Sequence, residues 1–311
     1  MTPTASMPQN QGGIPMEIGN WSATPDLNNI YRDIRELGLE SNLAELEAFG
    51  FTVVENALST EQVEYFRGRI IEISEARMGR KLDLENETEH AETAFIPYLL
   101  YKDKRFKESV TNPKTLTLIS YLLGQHCILS SLGCHLKGPG GKGLLLHSDT
   151  SNGIPDPFSP YSHVANCNYA LTDYTEAGGA LAMVPGSHRH FRQPTKHEQG
   201  LDGNERYEHV IPIEVPAGSA IIWHGNTWHG SFPRKTPGLR INLSNYFCRE
   251  YIAPQEDYRN TVPSDFLDGE KDKRLARLLG SDLAYGWTDD GPLKHFARRK
   301  EREMSVPSWQ F

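Results

Sequence analysis

With 311 residues, a net charge of −8 and 38% hydrophobic residues, the chain is long enough for one large core. Its mean hydropathy of −0.54 is that of a soluble globular protein. No run approaches the roughly 20 apolar residues of a membrane helix, no basic stripe suits nucleic acid, and the opening residues lack the basic and apolar regions of a secretory signal.

Residues 1–25 are rich in Pro, Gly, Ser, Thr and Asn and read as a flexible segment. Residues 26–311 read as a single domain. It has a helical part over 26–125, a β-barrel core over 126–250 and a helical extension over 251–311. From Leu27 to Phe49 the pattern is helical, with Leu37, Leu39, Leu43, Leu46 and Phe49 at mixed three- and four-residue spacing. Gly50 ends that helix and FTVV (51–54) reads as a strand. Ser59 to Gln62 opens an amphipathic helix marked by Val63, Phe66, Ile70, Ile73 and Met78. Another helix runs from the Asn112-Pro113 region to Leu123, ended by Gly124.

The middle of the chain is β. Strands are predicted over 127–137, 144–149, 163–171, 180–184, 208–215, 219–224 and 239–247, separated by Gly and Pro turns. The predicted fold is mainly β with flanking helices around a double-stranded β-helix, the jelly roll shared with cupins. Ser264 to Glu303 returns to helix and charge, and Arg298-Arg299-Lys300 reads as a solvated helix end. Four cysteines (Cys127, Cys134, Cys167, Cys248) lack CxxC spacing and read as reduced core residues, which places the protein in the cytoplasm. A homodimer is the default assembly.

His147-Ser148-Asp149 carries the chemistry. Residues two apart on a strand face the same side, so both side chains reach one ion. A third ligand must come from a distant strand, and His224 and His229 are the candidates. His229 is preferred, because Gly230, a loop and the strand LRINLSNYF follow it. In that strand Arg240, Asn242 and Ser244 share a polar face opposite Leu239, Ile241 and Leu243. A buried Arg calls for an anion, and its fork suits a carboxylate. Two His and one carboxylate with open positions favour Fe(II). His188 and His190 form another His-x-His, but they lie in a Pro-Gly turn and read as structural. Trp223 and Trp228 read as core or pocket residues.

These residues, with YALTDYTEAGGALAMVPGSH (169–188), Pro216-Ala217-Gly218-Ser219 and Trp228-His229-Gly230, resemble the phytanoyl-CoA dioxygenase family across roughly Phe49 to Phe247. The resemblance implies a double-stranded β-helix with His147, Asp149 and His229 as the catalytic iron ligands. It implies Arg240 as the anchor of the far carboxylate of 2-oxoglutarate. It also implies O2 as co-substrate, and oxidation of an unactivated carbon as 2-oxoglutarate becomes succinate and CO2. Asn168 stands where many members carry Trp, and Leu144 where many carry Gln. Asn168 can still donate a hydrogen bond to the co-substrate; Leu144 cannot. Halogenating relatives have Ala or Gly at the carboxylate position, so Asp149 points to hydroxylation, desaturation or a related oxidation.

The segments TSNGIPDPFSPYSH (150–163) and AFIPYLLY (94–101) are candidate walls for a small, largely apolar substrate. Their residues could equally pack the barrel mouth. Lys102, Lys104, Arg105 and Lys107 would splay around a helix rather than gather on a CoA phosphate. Two other readings compete. A cupin-like zinc hydrolase or isomerase would need no 2-oxoglutarate. A non-catalytic module would be expected to lose a ligand, and none is missing.

Overall fold

The computed structural model describes residues 25–88, 95–263, 265–267 and 273–280. Its N-terminal helices form where caps and breakers place them. Helices α1 (Pro25–Glu36) and α2 (Glu40–Phe49) are followed by Gly50 in the left-handed region at φ +83°, whose N–H reaches the Leu46 carbonyl. The chain turns there into β1 (Phe51–Val54). Helix α3 (Thr60–Met78) opens on a capping box, with Ser59 and Gln62 bonding each other's backbone N–H. Two single-turn helices, α4 (Leu99–Lys102) and α5 (Lys107–Val110), lead to α6 (Pro113–Leu123). Asn112 caps α6 by accepting from the N–H groups of Lys114 and Thr115.

The strands are β2 (Ile128–Gly133), β3 (Leu136–Lys137), β4 (Leu144–His147), β5 (Val164–Ala170), β6 (Leu181–Met183), β7 (Ile211–Ile213), β8 (Ala220–His224), β9 (His229–Ser231) and β10 (Arg240–Cys248). They form two antiparallel sheets. One runs β1-β8-β5-β10-β2, with β3 also on β10; the other runs β4-β9-β6-β7. Alternation along the strands sets two environments. Leu239, Ile241, Leu243 and Phe247, with Ala165, Cys167 and Tyr169 of β5, pack into one core with Phe66, Ile70, Leu118 and Ile119 of the helices. The opposite face of the large sheet meets the small sheet, where Ala170, Ile221 and Trp223 pack with Leu181 and Met183.

Two expectations need correcting. The protein is not mainly β: 35% of the described residues are helical against 21% in strands. The strands have 2 to 9 residues, whereas α1, α2, α3 and α6 have 10 to 19. Many short strands therefore amount to less chain than a few long helices. Nor do the sheets close into a barrel. The core is a pair of facing sheets, double-stranded β-helix-like in kind, with β1, β2, β4 and β7 at their edges.

All four cysteines are free and buried. No helix among the described residues is long and apolar enough to cross a membrane. Of the expected C-terminal extension, α7 (Tyr258–Thr261) and α8 (Lys273–Leu278) are described. Residues 1–24 and most of Ser264 to Glu303, including Arg298-Arg299-Lys300, lie outside the described residues.

Candidate metal centre

Strands β4 and β9 pair so that His147 stands opposite His229. Their rings lie 4.4 Å apart between centroids. Each imidazole is oriented by its own backbone: His147 Nδ1 lies 2.9 Å from the Leu145 carbonyl, and His229 Nδ1 2.9 Å from the Thr227 carbonyl. A carbonyl only accepts, so Nδ1 carries the proton and Nε2 offers its lone pair. Asp149 follows β4 on a short 3-10 turn. Its Oδ1 is 3.8 Å from His147 Nε2 and its Oδ2 3.4 Å from His229 Nε2. One ligand atom from each of the three residues lies within 4.8 Å of the other two. Burial, more than its neighbours, pushes His229 down to about 4, so the ring is neutral and ready to ligate. Two neutral imidazoles and one carboxylate fit Fe(II) with positions left over.

The close approach of β4 to β9 depends on Gly230. A Cβ there would lie 2.2 Å from the Leu144 carbonyl oxygen. Gly230→Ala is therefore expected to push the strands apart, cost about 2–3 kcal/mol of stability and weaken metal binding. Thermal unfolding with and without added metal measures both effects.

Arg240 begins β10 on the inner face and is 4% exposed. Its Nη1 donates to the Gly179 carbonyl at 3.0 Å, and its Nε is buried without a hydrogen-bond partner. The guanidinium lies 5.3 Å from the Tyr174 ring centroid. Its cross-strand neighbour is Lys137, also buried, whose Nζ donates to Ser231 Oγ and the Phe232 carbonyl. Among the described residues no carboxylate forms a salt bridge with Arg240. Asn168 is buried on β5, and its Oδ1 accepts from the Tyr174 hydroxyl at 3.1 Å.

The sequence did not single out Asn166 or the Lys137–Ser231 contact, and it read Trp223 only as a core or pocket residue. Asn166 Nδ2 and Trp223 Nε1 both donate to Asp149 Oδ2, at 2.7 and 3.3 Å. Asn166 had a signal, since it and Asn168 are polar and two apart in an apolar strand. His135 lies between β2 and β3, its ring centroid 5.1 Å from that of Phe95. The protein around it, then Arg240 and Lys137, push its imidazole down to about 4.

Among the described residues no other histidine joins the three. The His224 ring is 5.6 Å from that of His188, and its Nδ1 accepts from the Asn226 N–H. Burial, then His188, push His224 down to about 3. Both His224 and His229 are protonated more easily once unfolded. Below pH 6.5 the unfolded chain therefore binds more protons, and stability falls as pH falls. Acidifying metal-free protein from pH 6.5 toward 4 is expected to lower stability by up to about 1 kcal/mol per pH unit for each of these histidines. Urea unfolding midpoints across that range measure it.

Of the expected pocket walls, Leu99 and Leu100 are buried in the helical core, and Tyr98 and Tyr101 stack on each other beside Tyr258. Phe95 is the residue of that run beside His135; Ala94 lies outside the described residues. In the 150–163 loop Phe158 is buried and Tyr161 is exposed.

A two-histidine, one-carboxylate cluster with open positions between two antiparallel sheets points to the non-haem Fe(II) oxygenases. The phytanoyl-CoA dioxygenase family model matches residues 46–242, and the chain belongs to that family. The dioxygenase af480 of Aspergillus fumigatus is 25% identical over 284 residues, covering 89% of this chain and 88% of its own. An ectoine dioxygenase of Stutzerimonas stutzeri is 26% identical over 271 residues, covering 78% of this chain and 88% of its own. HygX from Streptomyces hygroscopicus, solved with nickel and 2-oxoglutarate bound, shares the fold with a TM-score of 0.56. That likeness is 14% identical and covers 69% of this chain and 88% of HygX. The protein is an Fe(II)- and 2-oxoglutarate-dependent dioxygenase, with O2 as co-substrate.

Proposed function

We propose that His147, Asp149 and His229 hold Fe(II), that Arg240 anchors the far carboxylate of 2-oxoglutarate, and that the enzyme hydroxylates an unactivated carbon of a small, largely apolar metabolite. The observation that carries this reading is Arg240, a buried cation on the inner face with no acidic partner among the described residues. A buried guanidinium left unpaired is costly, and a bidentate carboxylate repays it. When bound, iron and 2-oxoglutarate supply the oxidising chemistry, and succinate and CO2 are the by-products.

The chain's own groups do the positioning. The Leu145 and Thr227 carbonyls hold both imidazoles with Nε2 toward the ion. With its Oδ1 taken by Tyr174, Asn168 has amide N–H groups to offer the co-substrate. Leu144, which pairs with Ser231 two residues from His229 and is 55% exposed, offers an apolar side chain near the site. Two of the four basic residues near a possible CoA phosphate are engaged elsewhere. Arg105 pairs with Glu61 and Glu108, and Lys104 lies over the Phe266 ring. The likeness to an ectoine dioxygenase also supports a small-molecule substrate. Four buried, free cysteines support a cytoplasmic location.

The test is succinate release from iron-loaded protein across a panel of small apolar metabolites. Stimulated release with a product 16 Da heavier than the substrate is expected. Stimulation confined to acyl-CoA thioesters would overturn the substrate class.

A further inference from the structure

Asn166 and Trp223 stand directly opposite each other on β5 and β8. Both point their N–H groups at one atom, Asp149 Oδ2, at 2.7 and 3.3 Å. A carboxylate oxygen offers about two lone-pair sites, and these two donors occupy those of Oδ2. Each oxygen faces a ligand imidazole, Oδ1 at 3.8 Å from His147 Nε2 and Oδ2 at 3.4 Å from His229 Nε2, but Oδ1 carries no hydrogen bond among the described residues. Asn166 is itself held, because its Oδ1 lies 3.4 Å from the Ser244 hydroxyl of β10. Trp223 touches a second ligand as well, its ring centroid being 4.8 Å from that of His229. Both clamp residues are buried.

We propose that Asn166 and Trp223 are positioning residues that make Asp149 a one-oxygen ligand: by occupying Oδ2 they leave the unbonded Oδ1 as the oxygen that meets the ion. A carboxylate free to turn could bind through both oxygens and fill a position that the chelating co-substrate or O2 needs. Fixing Oδ2 keeps that position open. This inference rests on the metal reading above.

The test uses Co(II) as a spectroscopic probe of the full-length, metal-free protein. Wild type is expected to bind Co(II) with a defined visible spectrum. Asn166→Ala is expected to raise the Co(II) dissociation constant by roughly 10- to 100-fold and to change the intensity of the visible bands as the carboxylate reorients. Trp223→Phe keeps the ring and deletes only the longer hydrogen bond. It should change the spectrum in the same direction with a smaller loss, and it serves if Asn166→Ala fails to fold. Folded variants with wild-type affinity and an unchanged spectrum would overturn the clamp while leaving the metal centre intact. Wild type that binds no Co(II) would overturn both.

Discussion

Arg240→Ala is expected to weaken 2-oxoglutarate binding by about 3 kcal/mol, roughly 100-fold, while Fe(II) affinity stays within about twofold. The two effects separate because Arg240 makes no hydrogen bond to a metal ligand; its Nη1 donates to the Gly179 carbonyl, and its guanidinium lies over the Tyr174 ring. Truncation removes the only charge that the strand itself presents next to Lys137. Arg240→Lys should recover part of the loss, since an ammonium restores the charge without the planar fork. Calorimetric titration of 2-oxoglutarate into metal-loaded protein measures both variants. Unchanged affinity in the alanine variant would place the co-substrate elsewhere.

Asp149→Ala should have the larger effect on the metal. It removes the sole anionic ligand of the cluster, so the loss of Fe(II) affinity should exceed the roughly 10- to 100-fold that loss of a supporting hydrogen bond costs. Substrate oxidation should fall below detection with it. The fold should survive, because Asp149 begins a short turn at the sheet edge and the cores on either side do not use it. Asn166 and Trp223 would each lose an acceptor, at a cost of about 1–3 kcal/mol apiece, so a lower melting temperature accompanies the loss of metal. Bound iron per chain and the far-ultraviolet circular dichroism of the same sample distinguish a lost ligand from a lost fold.

The metal centre was the most legible part of the chain because strand alternation is a strict rule. His147 ends β4 and faces His229 across a strand pair, while Asp149, two residues on, reaches the same side from the 3-10 turn that follows rather than from the predicted strand. The polar-apolar alternation of β10 was readable too: Leu239, Ile241 and Leu243 do pack toward the helices. Helix boundaries followed local chemistry, the Ser59 capping box and Gly50 among them. The balance of helix and strand was not legible, because counting elements overlooks their lengths. Barrel closure depends on long-range strand pairing that no local pattern encodes. The same holds for the site's support. Asn166 and Trp223 meet at Asp149 only because β5 and β8 are neighbours, and Lys137 meets Ser231 only because β3 and β9 lie face to face. The AFIPYLLY run stayed ambiguous in the sequence because an aromatic and aliphatic stretch suits a packed core and a pocket equally well; Leu99 and Leu100 fall in the core.

The most direct measurement is anaerobic addition of Fe(II) and then 2-oxoglutarate to metal-free protein, followed by visible absorption. A weak band that requires both components is expected, reduced or lost in Arg240→Ala at the same 2-oxoglutarate concentration. No band, together with tight retention of zinc, would contradict the oxygenase assignment and favour a zinc-dependent hydrolase or isomerase.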